Sequence, residues 1–152
     1  MDGVIVRPAS LDEIGAAAHL RAIMAREMGN DWDAAHPGWR DGFVQFFRNK
    51  QAGGDAQLFY AERAGEIVAM AAFSVLDEYR AAAFGQPRGW VNSVYVVPAL
   101  RRCGIAKELM RCGLDWLRRR GCVMARLRTS DDGRPLYESL GFAPGTEMEL
   151  NL

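Results

Sequence analysis

The sequence predicts an α/β fold, an α/β sandwich around a mixed, largely antiparallel sheet, with elements in the order βααβββαβαβ. Three observations carry this reading. Val94 to Val97 is a β-branched and aromatic run closed by Pro98, and an amphipathic helix follows from Ile105. Leu58–Glu62 and Ile67–Val75 are apolar strands on either side of Ala64-Gly65-Glu66, which reads as a hairpin turn. Ser10-x-x-Glu13 is a capping box ahead of a helical stretch that runs to about Glu27.

In chain order, Val4–Arg7 is the first strand and the capped helix is next. The segment Gly29 to Trp39 mixes Gly, Asn, Asp and Pro and reads as irregular. A second helix then turns Phe43, Phe46 and Phe47 to the core. After the hairpin, the connection Asp77 to Arg88 is long for a link between strands, a length that goes with mobility or function. It leads into the strand Trp90–Val97. In the following helix Ile105, Leu109, Cys112 and Trp116 recur at steps of three and four, with Lys107, Glu108, Arg111 and Arg118 on the other side. Val123–Arg128 is a strand, Asp132–Leu140 a short helix and Phe142–Leu150 a closing strand. No repeat or low-complexity tract interrupts this order.

The 152 residues, 49% hydrophobic and 25% charged, suffice for one ordinary core and one domain. Nineteen basic residues balance nineteen acidic ones, so no global field marks a nucleic-acid binder. Cys103, Cys112 and Cys122 are odd in number and lack zinc-ligand spacing, and the N-terminus lacks a secretory pattern, which together point to the cytoplasm. No apolar run reaches the ~20 residues of a membrane span. His19 and His36 stand apart from any metal-ligand pattern, so no metal site is expected.

The junction from Val94 to Met110 is the most informative stretch. A helix N-terminus offers unpaired amides and a positive dipole end, and Gly104 lets an anion approach the main chain. No P-loop or dinucleotide glycine pattern is present. Arg101-x-x-Gly104-x-Ala106 resembles the acyl-CoA pyrophosphate loop of the GNAT superfamily of acyl-CoA N-acyltransferases, usually Gln/Arg-x-x-Gly-x-Gly/Ala. Downstream, Ser130 to Phe142 resembles the second signature of that family. Leu136, Tyr137, Gly141 and Phe142 match, while Ser130 and Gly133 replace the Asn and Ala often found seven and four residues before the tyrosine.

The resemblance covers nearly the whole chain and implies a GNAT-like three-layer α/β sandwich in which two neighbouring strands splay around acetyl-CoA. Val94, Tyr95 and Val96 would line the pantetheine arm, with backbone groups of Val94 and Val96 pairing to it. The amides of Arg102, Cys103, Gly104, Ile105, Ala106 and Lys107 would hold the pyrophosphate beside Arg101, and Ser130 would contact the arm. At the positive end of this helix, near Arg101 and Arg102, Cys103 is expected to favour its thiolate, and Cys112 on the apolar face to be inert.

The chemistry implied is direct attack of a primary amine on the thioester. Tyr137 is the candidate acid for the departing thiolate, because a phenol stays protonated at neutral pH. For the base, the strands offer water relayed by Asn92, and the loop offers Glu78 or Asp77. An acceptor pocket is expected between residues 29–39 and 77–88, where Asp31, Asp33, Asp77 and Glu78 would hold an ammonium group and Trp32 and Trp39 would cover it. A binding module that senses acyl-CoA without turnover is the alternative. The acceptor is left open by the sequence, as is the choice between a monomer and a homodimer.

Overall fold

A computed structural model of the chain describes residues 1–78, 81 and 85–152. Strands β1 (Val4–Pro8), β2 (Ala56–Arg63), β3 (Glu66–Leu76), β4 (Arg88–Val96) and β5 (Ala125–Arg126) form one sheet in the order β1-β2-β3-β4-β5. The first four pair antiparallel and β5 joins β4 in parallel. Alternation along the strands builds two cores. Leu58, Tyr60, Met70, Ala72 and Tyr95 face α1 (Ile14–Glu27) and α3 (Trp39–Ala52). Phe59, Ala61, Ala69, Ala71, Phe73 and Val91 face α4 (Ile105–Arg119), and Tyr137 of α5 (Arg134–Ser139) packs on the rim of that cluster. The expected three layers result.

Local chemistry explains the entry into α1. The Ser10 amide donates to Glu13 Oε2 at 2.9 Å, one half of the expected capping box. Glu13 also takes two bonds from the Arg7 guanidinium, at 2.9 and 2.7 Å, which hold its carboxyl well down at about 2. The Tyr60 hydroxyl accepts from the Ala17 amide at 3.1 Å and donates to the Glu13 carbonyl at 2.8 Å, fixing the start of α1 over β2. At the hairpin, Ala64 and Gly65 have φ of 51° and 82° and Arg63 faces Glu66, the geometry of a two-residue type I′ turn.

The structure departs from the sequence reading at five places. The irregular segment contains a short helix, α2 (Trp32–Ala35), capped by Asp31, whose carboxylate accepts from the Ala34 amide at 3.2 Å. Phe46 is 52% exposed, because α3 buries only the Phe43–Phe47 side. β5 is two residues long rather than Val123–Arg128. Phe142–Leu150 is not a strand: Glu147 and Glu149 form ion pairs with Arg126 and Arg128, and Met148 and Leu150 stay exposed. In that segment side-chain ion pairs stand where a backbone ladder was expected.

The buried stripe of α4 is also displaced, running through Leu109, Met110, Gly113 and Leu117 while Cys112 and Trp116 are half-buried. Gly113 is the reason the helix lies so close to the sheet. A Cβ there would fall 2.0 Å from the Phe73 ring. Gly113→Ala is therefore expected to cost about 2–3 kcal/mol of stability by overpacking. Urea denaturation would show this as a lower midpoint, and an unchanged midpoint would contradict the close packing.

Candidate active site

The site begins at an interruption in β4. Ala72 faces Asn92 while Met70 faces Tyr95, so two residues of β4, Ser93 and Val94, oppose Ala71 alone. Ser93 takes a φ of 52°, in the left-handed region. The bulge resets the alternation of the backbone. Val97 donates to the Val68 carbonyl at 3.0 Å, so the peptide groups of Val94 and Val96 turn to the opposite edge. On that edge β4 pairs with β5 only at Gly89↔Ala125 and Trp90↔Arg126. From Val91 to Val96 it has no paired strand there among the described residues, and the two strands part.

The chain then leaves β4 through a 3-10 turn, Pro98–Leu100, and reaches the N-terminus of α4. The first helical bond of α4 is from the Glu108 amide to the Gly104 carbonyl, at 3.1 Å. Amides ahead of it have no acceptor within the helix. Arg102 and Gly104 have φ of 64° and 83°, which fold the main chain into a concave turn. A Cβ on Gly104 would meet only Met1 Cγ, at 3.8 Å, so the space before this glycine is open. Cys103 is exposed and its thiol donates weakly to the Arg101 carbonyl at 3.5 Å.

Val94, Ala106, Leu127 and Tyr137 border the same apolar cluster, bringing the β4 edge, the loop and α5 together. The Tyr137 ring meets Phe142 edge-on at 5.9 Å. Burial pushes its phenol above the usual tyrosine range, and among the described residues its hydroxyl has no hydrogen-bond partner. Ser130 sits before α5, where its hydroxyl oxygen accepts from the Gly133 amide at 3.2 Å.

Two predicted coenzyme contacts turn away from this edge. Tyr95 points to the α1 face, where its hydroxyl donates to Glu27 Oε1 at 2.6 Å. Burial, then that carboxylate, pushes the phenol up to about 12. Arg101 reaches the same carboxylate at 2.5 Å, lies over the Tyr95 ring at 5.5 Å, and donates through Nε to the Val96 carbonyl at 2.9 Å. The Val96 carbonyl is thereby occupied. Tyr95 and then Arg101 hold the Glu27 carboxyl below its usual range. Glu27 was not among the residues singled out from sequence, since its role depends on contacts 68 and 74 residues away.

Comparison with known proteins fits this layout. The profile of the acetyltransferase (GNAT) family matches residues 24–142. The chain belongs to this family. It is 30% identical over 104 residues to a glucosamine 6-phosphate N-acetyltransferase of Trypanosoma brucei brucei, an alignment covering 68% of this chain and 69% of that protein. Among solved structures, a GCN5-related N-acetyltransferase from Ralstonia eutropha JMP134 superposes with a TM-score of 0.85 at 27% identity, covering 99% of both chains. A predicted acetyltransferase with acetyl-CoA from Clostridium acetobutylicum has a TM-score of 0.88 at 24% identity, over 97% of this chain and 96% of that one.

As a GNAT protein the chain is an acetyl-CoA-dependent N-acetyltransferase. Its own residues fit that co-substrate: a strand edge unpaired among the described residues for an extended amide-bearing arm, and a turn whose amides have no acceptor among them, with an open glycine, for a diphosphate. Among the described residues no group of three or more His, Cys, Asp or Glu converges on a metal position. No helix among them is long and apolar enough to cross a membrane.

Three of the four acidic residues expected around the acceptor, Asp31, Asp33 and Glu78, are engaged within the protein, while Asp77 is exposed just beyond β3. Asp33 accepts from Arg40 at 2.7 Å, from Trp39 Nε1 at 3.0 Å and from Arg26 at 2.8 Å; the Arg40 bonds lead in holding its carboxyl at about 2. Asp31 is the cap of α2. Glu78 is exposed and lies 2.8 Å from Arg88 Nε. Residues 79, 80 and 82–84 of the expected pocket lie outside the described residues. Asn92 lies on the α1 face, its amide 3.5 Å from the buried Ser74 hydroxyl.

Proposed function

We propose that the protein transfers the acetyl group of acetyl-CoA directly to a primary amine of a small molecule, an amino-acid derivative or a protein. The observation that carries this reading is the opening of the unpaired β4 edge onto the free amides of the α4 turn, with Tyr137 bordering the same apolar cluster. The thioester supplies an activated acetyl carbon. Val94 offers its peptide amide and carbonyl to the pantetheine arm and Val96 its amide, with Tyr95 forming the strand between them. The amides of Arg102, Cys103, Gly104, Ile105, Ala106 and Lys107 bind the diphosphate, and the Ser130 hydroxyl hydrogen, left free by its bond to Gly133, meets the arm.

Tyr137 gives its proton to the departing sulfur. A phenol is protonated across neutral pH and burial keeps it so, which leaves its proton available to the sulfur. Asn92 holds the water that takes the proton from the incoming ammonium group. Glu78 is set aside for this step because it faces Arg88. Glu27 keeps Arg101 folded back over Tyr95, which leaves the backbone amides of the turn to meet the diphosphate. Three free cysteines fit a reducing compartment, the cytoplasm.

Release of CoA thiol from acetyl-CoA across a panel of amines tests the proposal. Amine-dependent release supports it, and tight CoA binding with no turnover on any amine replaces it by the sensor reading. The loop assignment has its own check. Saturating CoA should slow alkylation of the exposed Cys103, measured by mass spectrometry. Half-buried Cys112, with its thiol pushed up by burial, should react slowly either way. Equal Cys103 rates with and without CoA would remove the loop from the coenzyme site.

A further inference from the structure

Arg21 occupies a position where α1 should carry an apolar residue. Ile14, Ala17, Ala18 and Ala25 are buried, and steps of three and four place Arg21 on their stripe. It is half-buried, and among the described residues it forms no ion pair. Its contacts are Met24 Sδ, at 3.9 Å from Nη1, and the Trp32 ring, 4.7 Å below the guanidinium carbon. The acids at the end of α1 and around α2 bond other partners. Asp33 is shared among Arg26, Arg40 and Trp39, Asp31 is the cap of α2, and Glu27 holds Tyr95 and Arg101.

The surroundings of this cation follow from the contacts of its neighbours. α1 crosses the sheet from Tyr60, bonded at Ala17, to Tyr95, bonded at Glu27, so Arg21 lies between those two anchors. A chain of ring contacts, Phe47–Phe43–Trp39–Trp32, leads along α3 to the aromatic face on which Arg21 rests. The guanidinium therefore sits between α1 and the start of α3, on the sheet face that carries Asn92 and Ser74. The contacts with the Trp32 ring and Met24 Sδ leave further guanidinium N–H groups for an acceptor. An unpaired cation withdrawn from water is costly, and a carboxylate or phosphate presented edge-on would offset that cost through paired, charge-assisted bonds. Burial pushes the Arg21 pKa down, in keeping with a site that lacks an anion of its own.

We propose that Arg21 binds an anionic group of the acceptor, so that this acetyltransferase prefers amines that also bear a carboxylate or a phosphate. The inference rests on the acetyl-transfer reading and gives that same site its substrate class. Trp32 positions Arg21, and Asn92 lies on the face toward which the amine end of such an acceptor would extend.

The test uses matched amine pairs in the thiol-release assay: L-alanine against L-alaninamide for a carboxylate, and glucosamine 6-phosphate against glucosamine for a phosphate. The unaltered protein should favour the anionic member of at least one pair by about tenfold or more in kcat/KM, and the responding pair tells which anion is bound. Arg21→Met, which keeps an apolar stem on the buried stripe, should raise KM for that anionic amine by about tenfold or more while leaving KM for acetyl-CoA unchanged. Arg21→Lys should retain part of the preference, and thermal melts would confirm that both variants fold. Equal use of both members of each pair, or an anionic preference that survives Arg21→Met, would overturn the proposal while acetyl transfer stands. Absence of thiol release with every amine would overturn both.

Discussion

Tyr137→Phe is expected to lower kcat by about 10²-fold or more while acetyl-CoA affinity stays within a few-fold, because a proton given to the departing sulfur matters only in the transition state. Stability should change little: the ring contact with Phe142 at 5.9 Å is kept, and the lost hydroxyl has no partner among the described residues. The pH profile gives a second readout. Burial raises the phenol pKa, so its acid form persists above the ordinary tyrosine range and activity is lost only as pH rises through the raised value. That alkaline limb should vanish in the Phe variant. A variant with lower stability but full turnover per folded molecule would make Tyr137 a packing residue.

Gly104→Val should weaken CoA binding by at least about tenfold, since its added branches enter the space the diphosphate would take. Its backbone φ of 83° adds a folding cost that the sequence alone did not reveal. Leaving that conformation out of account would confuse strain with lost binding. Gly121, at the other end of α4, separates them, for it has φ of 81° and open space around its Cβ position. Both Val variants should lose about 1–2 kcal/mol of stability. Only Gly104→Val should lose CoA affinity in calorimetry, and equal affinities would remove the diphosphate from this turn.

The strand, turn and helix of the candidate coenzyme side were legible in sequence because their signals are local. A β-branched run, a proline and a glycine ahead of an amphipathic helix specify strand, turn and helix within one stretch of chain. The hairpin at Ala64-Gly65 was legible for the same reason. The bulge at Ser93 was not, since it depends on how β4 registers against Ala71. The acceptor side was read less well. Asp33 looked like a ligand for an ammonium group, yet Arg26 on α1 and Arg40 on α3 converge on it only after the helices pack. Arg21 did leave a trace in the sequence, as a charged residue on the stripe of Ile14, Ala18 and Ala25. The closing strand expected at Phe142–Leu150 did not form, and Glu147 and Glu149 are engaged there through their side chains.

Acetyl transfer is expected to run directly from the thioester to the amine, without an acetylated protein on the way. A single-turnover reaction with labelled acetyl-CoA and an accepted amine, quenched and analysed by mass spectrometry, tests it. One CoA thiol should be released for each acetylated amine, with no label on the protein at any time. Label appearing first on the protein, on Cys103 or elsewhere, and passing later to the amine would contradict it.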